Sequence, residues 1–425
     1  MSKPIVFIIL FFSIASTVFG QADLVKELDK HLIQIATILP KDDFIDLNKL
    51  QPVVANRSII GLGEATHGTH EFFVYKHRLL KYLVTEENFR IFIIEGDFAG
   101  SQTMNEYISN GDVTIGKSLL DVGEGVWMTK EFVELINWTK EYNTNKSSQE
   151  KIKFYGCDMK NPFKAAAIIK EYLSEITLLT TSLERGLNEI IDRKYQGKPT
   201  KEDQNSSNIL LQELTTTFQK LDAQHDCDLE IIKHCIRELD QFFERFFADS
   251  KLQITLREKF MAENIEWIYH YENQRKTIFW AHNEHVKNAD KYNTQQKPTG
   301  YYLKEKFRNK YYSFGFGFNE GKVSDFNSQN QKWEVYETPK ITMKKSADLI
   351  LGQCSVPEFI LDFETASSNI LIHEFLDTKL YRRSIGFGYF PQSKKFRIYK
   401  GSKLIDTFDG LIFFRNTTPS VRMMN

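Results

Sequence analysis

"RSIIGLGEATHGTHEF" (residues 57–72) decides how this chain is read. It opens on a short apolar, β-branched run, the composition of a strand buried on both faces, as in a parallel sheet. Its other end starts a helical spacing, Phe72, Lys76, Leu79 and Leu83, which predicts a helix over 70–85. Between the two, Gly63–Phe72 holds two glycines, two glutamates and two histidines, in a chain with only 10 histidines among 425 residues. A strand that ends in acids and histidines and turns into a helix is the unit at whose carboxyl end α/β sheets bind ligands.

Six more runs share the strand signature: 90–94, 151–156, 276–281, 311–318, 358–363 and 410–415. Helical patterns lie between several of them, notably over 129–142 and 163–177. Strand–helix alternation predicts an α/β fold with a largely parallel central sheet flanked by helices. From about 163 to 275 no strand pattern occurs; long helical stretches surround a polar loop expected over 195–208. The expected organisation is an α/β body (21–162 and 276–425) carrying a helical insertion (about 163–275) that forms one wall of a large cleft.

The first twenty residues stand apart. Lys3, an apolar run from Ile5 to Ala15 and Gly20 form the pattern of a secretory signal peptide, with cleavage expected between Gly20 and Gln21. The run is too short to span a bilayer comfortably, and no Cys follows it to take a lipid. The expectation is a secreted or periplasmic protein with no membrane anchor in its mature form. The net charge of −1 offers no electrostatic grip on nucleic acid. The four cysteines fit neither a disulfide framework nor a zinc pattern: Cys227 and Cys235 lie on one predicted helix, about 12 Å apart.

Four of the expected strands end in chemistry. Glu64 and His67 follow the first, Glu95 and Asp97 the second, Asp158 the third, and His282 and His285 the fourth. On one sheet rim these would converge into a site. His67 has the residue type of a general base, and Glu64 could fix its tautomer; His70 and His77 read as ordinary helical or surface residues. The spacing of His282 and His285 would put both on one helix face, as a metal pair or as a base with its electrostatic neighbour, though no complete metal ligand set is present. Arg257, on a helical stripe with Met261, Asn264 and Ile268, could stabilise an oxyanion or clamp a carboxylate. The glycine-rich 121–128 segment could be a mobile loop presenting Trp127. No nucleophile elbow, phosphate loop or dinucleotide fingerprint occurs, so direct activation of water is the simplest chemistry.

"GLGEATHGTHEF", "FIIEGDF", "FYGCDM", "REKFMAENIEW" and "WAHNEHV" together resemble the motif series of the erythromycin esterase family, in order and spacing, over about residues 55–320. The resemblance implies hydrolysis of the macrolactone ester of macrolide antibiotics with fourteen- and fifteen-membered rings, hence macrolide resistance, with no covalent intermediate and no cofactor. It matches Glu64, His67, Glu95 and His285 to catalytic positions and His282 and Arg257 to the substrate side, where Asp97, Asp158 and Trp127 are also expected. Whether His67 or His285 is the base stays open. The partner would be a small-molecule macrolide, met by a monomer. Hydrolysis of another extracellular ester, iron-porphyrin binding on a related fold and metal-dependent hydrolysis through His282 and His285 are the competing readings.

Overall fold

The computed structural model describes residues 20–423 apart from 42, 124, 193, 194, 196, 222–226, 290–295 and 389–397. The expected signal peptide therefore lies outside the described residues, save Gly20. Eleven strands are present among the described residues: β1 (Ile33–Gln34), β2 (Ile59–Leu62), β3 (Ile91–Asp97), β4 (Lys153–Asp158), β5 (Thr277–Trp280), β6 (Tyr311–Asn327), β7 (Lys332–Glu337), β8 (Glu358–Asp362), β9 (Lys379–Arg383), β10 (Tyr399–Lys403) and β11 (Gly410–Thr417). The main sheet runs in the order β1-β8-β11-β6-β2-β5-β3-β4, with β7 paired to β6. From β11 to β4 every neighbour is parallel, and β8 and β1 add an antiparallel edge.

Alternation along the central strands feeds two apolar cores, one on each face of the sheet. Ile59, Ile91, Ile93 and Phe279 pack on one side with Leu173, Leu239 and Met261. Ile60, Phe92, Ile94, Ile278 and Trp280 pack on the other with Phe72, Leu79 and Phe132. Covered on both faces, these strands can be continuously apolar, which is why they read so clearly in sequence.

Helix α1 (His70–Thr85) follows β2 and has the expected bounds. It is buried from Glu71 to Val84, polar residues included. The reason is a second layer outside it: helix α2 (Lys130–Asn143) packs on it, and Arg78 and Lys81 reach Asp46 and the Pro40 carbonyl of the N-terminal segment. His77, expected as an ordinary helical or surface residue, is thus buried against Trp138, ring centroids 5.8 Å apart.

Between β4 and β5 the described residues form only helices and their connections: α3 (Phe163–Glu175), α4 (Thr181–Ile191), α5 (Lys201–Gln219), α6 (Cys227–Phe247) and α7 (Ser250–Tyr271). The polar loop expected over 195–208 is shorter than read, because α5 starts at Lys201. Thr200 accepts the Asp203 N–H and Asp203 accepts the Thr200 N–H, a capping box that turns a polar stretch into a helix start.

Candidate active site

The carboxyl ends of β2, β3, β4 and β5 lie side by side, with Leu62 opposite Trp280, Ile94 opposite Trp280 and Asp97 opposite Asp158. The loop after β2 is tightly held. Gly63 has room for no side chain, since a Cβ would lie 2.2 Å from Asn283 Oδ1 and 3.0 Å from the Phe314 carbonyl. At Gly68 a Cβ would lie 1.6 Å from the Ser324 carbonyl oxygen. Neither glycine has a positive φ; both serve close approach rather than a left-handed turn.

This loop presents a buried polar unit. His67 Nδ1 lies 2.7 Å from Glu64 Oε1, and Glu64 Oε2 accepts from Lys76 Nζ (2.8 Å) and Trp280 Nε1 (2.7 Å). Facing a carboxylate, Nδ1 carries the ring proton, which leaves Nε2 as the basic nitrogen. Burial pushes the Glu64 carboxyl up, but the Lys76 charge and His67 outweigh it and hold the group down at about 2. Lys76 is fully buried, 4.1 Å above the Trp280 ring, and burial lowers it to about 8 against the pull of Glu64. For His67, burial opposes the charge, yet Glu64 raises its pKa above the ordinary value of 6.5.

A second cluster centres on His285. Its Nδ1 lies 2.7 Å from Glu258 Oε1 and its Nε2 3.1 Å from Glu95 Oε1. Burial disfavours the imidazolium, but these two carboxylates overcome it and raise the pKa to about 10. His285 is therefore a cation at neutral pH, enclosed by two carboxylates, and its Nδ1 meets Glu258 as a close ion pair without hydrogen-bond geometry. Arg257 completes the network: Nε and Nη2 grip Asp158 at 3.1 and 2.6 Å, Nη2 meets Glu95 Oε1 at 2.7 Å, and Nη1 stands 3.3 Å from His285 Nε2. Asp158 is pushed up by burial but held at about 2 by the Arg257 charge. Glu95 Oε2 accepts the His282 backbone N–H at 3.1 Å.

His282 sits between the two clusters, its ring centroid 5.0 Å from that of His67. Burial, then the neighbouring His67 charge, lower it to about 3, so it is neutral. Its Nδ1 accepts the Glu284 N–H at 3.2 Å, so the proton is on Nε2, a buried nitrogen with no hydrogen-bond partner among the described residues. The helix carrying His285 is a single turn, Asn283–Val286, with His282 at its N-cap, so the two histidines do not share a helix face as expected.

Other expectations are corrected. Trp127 is not on a presented loop: it is 1% exposed, wedged among Phe73, Phe132 and Trp280, and donates from Nε1 to the Glu95 carbonyl at 3.2 Å. It shapes the Glu95 strand end from within the core. Asp97 is buried, accepts the Gly100 N–H at 2.7 Å and neighbours Glu238 of α6, whose carboxyl is pushed well up by burial and by the Asp97 charge. It belongs to the joint between body and insertion. Asp158, also buried, acts through Arg257. Lys76 and Glu258 were missed. Lys76 lay in plain view as a lysine on an apolar stripe; Glu258, next to Arg257, gave no signal of its own. Among the described residues no group of three or more His, Cys, Asp or Glu side chains is arranged to hold a metal ion.

Residues 84–417 match the erythromycin esterase family. A Bacillus subtilis (strain 168) protein named "Putative hydrolase YbfO" is 24% identical over 419 residues, covering 88% of this chain and 87% of its own. Erythromycin esterase type II of Escherichia coli is 32% identical over 133 residues, 31% of this chain and 30% of its own. A solved Bacillus cereus protein superposes with a TM-score of 0.84 at 25% identity, covering 95% of this chain and 99% of its own. An erythromycin esterase solved in its open conformation shares the fold, with a TM-score of 0.64 at 18% identity over 89% of this chain and 96% of its own. The chain belongs to the erythromycin esterase family and is a hydrolase.

Proposed function

We propose that the chain hydrolyses the lactone ester of macrolides, with fourteen- and fifteen-membered rings preferred, by water activated at His67. The observation that carries this reading is the unequal pairing of the two histidines. Glu64 holds His67 by one nitrogen and leaves the other free to take a proton. His285 is enclosed by Glu95 and Glu258 and has no basic nitrogen to offer near neutral pH. His67 Nε2 takes a proton as water attacks the ester carbonyl carbon. Glu64 stabilises the imidazolium that results. The oxyanion is received by His282 Nε2–H and the Arg257 guanidinium. Collapse breaks the acyl C–O bond, and His67 returns its proton to the leaving alkoxide, giving a hydroxy acid.

The protein, on this reading, is exported with the cut between Gly20 and Gln21, acts as a monomer, and confers macrolide resistance by meeting the drug outside the cytoplasm. Among described residues no helix is long and apolar enough to cross a membrane. The test is incubation of pure protein with macrolides of fourteen-, fifteen- and sixteen-membered rings, read as the mass gain of one water. Ring opening of the two smaller classes is expected; inertness toward all three would sink the macrolide reading.

A second reading has its own support. The higher structural similarity is to proteins not named as macrolide esterases: a solved succinoglycan biosynthesis protein superposes with a TM-score of 0.82 at 26% identity, covering 94% of this chain and 98% of its own. The same His67 machinery would then act on a different external ester, and a panel of acylated sugars in the same assay separates the two.

A further inference from the structure

Residues 384–388, Ser-Ile-Gly-Phe-Gly, cross the His67 loop. Ser384 Oγ donates to Glu284 Oε1 (3.2 Å), the Ile385 N–H to the Ala65 carbonyl (2.7 Å) and the Gly388 N–H to Asp325 Oδ1 (3.0 Å). Asp325 in turn lies close enough to His67 to help raise its pKa. Between the last two anchors stands Phe387, 53% exposed although its backbone is tied down on both sides. Its ring stacks on Phe326, centroids 5.4 Å apart at 11°, and meets Trp333 at 6.0 Å and 70°.

Phe326 and Trp333 are directly opposed in the β6–β7 ladder and 5.8 Å apart. The far side of this group is also fixed. The Arg422 guanidinium lies 3.5 Å over the Trp333 ring and donates to the carbonyls of Gly125 and Val126. That turn carries Trp127, which bonds the Glu95 carbonyl. The three rings are thus tied, through the backbone of 385–388 on one side and through Arg422 and the Trp127 turn on the other, to the loop of His67 and the strand end of Glu95.

A single exposed phenylalanine needs no explanation. Three contacting rings, braced at both ends to the backbone of one polar site, are an apolar surface built beside that site. We propose that Phe387, Phe326 and Trp333 form a shelf that receives the apolar face of a large ring ester while its carbonyl lies at His67. This rests on the reading of the site as an esterase for ring esters. Recognition by rings at a distance from the reacting carbonyl would select substrates by the extent of their apolar face.

The test is binding of erythromycin, followed by intrinsic tryptophan fluorescence, in a His67→Ala background where turnover is cut at least about a hundredfold. Phe387→Ala should weaken binding about tenfold or more, with an unchanged melting temperature because the ring is half in water. Phe387→Trp, which restores a flat apolar face, should recover most of it. Equal binding by Phe387→Ala, or no binding by its Phe387-containing parent, overturns the shelf. Binding without ring opening by the wild-type chain overturns the macrolide esterase reading and leaves the shelf standing.

Discussion

His67 and His285 are the same residue type at two strand ends, and their surroundings divide the labour. One carboxylate on Nδ1 leaves His67 a base; two carboxylates leave His285 a fixed cation. General-base catalysis contributes about a hundredfold to ten-thousandfold. His67→Ala should therefore lose at least about a hundredfold in kcat, and Glu64→Gln/His67→Ala should be scarcely slower, since the two act as one unit. Steady-state kinetics on proteins with matched circular dichroism decides it; a folded His67→Ala that keeps its kcat removes His67 from the base role. The base must be neutral, and Glu64 raises its pKa above 6.5. So kcat/KM should climb with pH through a midpoint above 6.5, and Glu64→Gln should move that midpoint down. An unmoved midpoint would place the titrating group elsewhere. Lys76 supports the pair from beneath. Removing one partner of a buried pair costs about 3–5 kcal/mol, so Lys76→Met should lose about that much in urea unfolding, and Glu64→Gln/Lys76→Met should recover a large part. The strand-end acids and histidines were legible because strands, once recognised, place their last residues on one rim. What each side chain touches was not: Trp127 and Asp97 sit at the right height and are taken up by the packing.

At the scale of elements, the loop after β2 is shaped by its neighbours more than by its own residues. β6 continues past the sheet to Asn327, and its Ser324 carbonyl occupies the space beside Gly68. The Gly68 carbonyl in turn accepts the N–H groups of Ser324 and Ser420. A methyl group there has only backbone to push against. Gly68→Ala should cost about 1–3 kcal/mol as overpacking and lower kcat by displacing His67, whereas Gly116→Ala, with nothing within 4 Å, should do neither. Thermal melts and kinetics of the two variants check this; an active, stable Gly68→Ala would mean that the loop is not set by β6. Seven strands were visible in the sequence because they are buried on both faces. β7, with "KWEVYE" (332–337) largely exposed, and the β9–β10 pair carry too little apolar pattern to be seen. The polar start of α5 looked like a loop because its helical signal is a cap, which is a matter of two residues and not of periodicity.

Over the whole molecule, the site is also where the helical insertion meets the α/β body. Helix α7 brings Arg257 and Glu258, one to Asp158 and Glu95, the other to His285 and to the Thr299 N–H and hydroxyl. Asn264, one face of the same helix, donates to the Cys157 carbonyl at 2.9 Å. The charges that would hold an oxyanion are thus the charges that hold the two parts of the chain together. The sequence could place Arg257 on an inward stripe, but not its partners, since those come from β3, β4 and the turn after β5. A consequence follows for stability. His285 titrates at about 10 in the folded protein against 6.5 as an ordinary histidine. A histidine whose pKa rises on folding lends its full contribution below pH 6.5 and loses it as pH climbs toward about 10. The melting temperature should therefore fall from pH 6.5, with Lys76, which folding lowers to about 8, opposing the fall above that pH. Glu258→Gln, which takes away one of the two carboxylates, should flatten the fall by narrowing the gap between the folded and unfolded pKa values. Melting curves of both proteins from pH 6 to pH 10 are the measurement. A wild-type fall no steeper than that of Glu258→Gln would show that His285 is not held as a cation, and would return it to contention as the base.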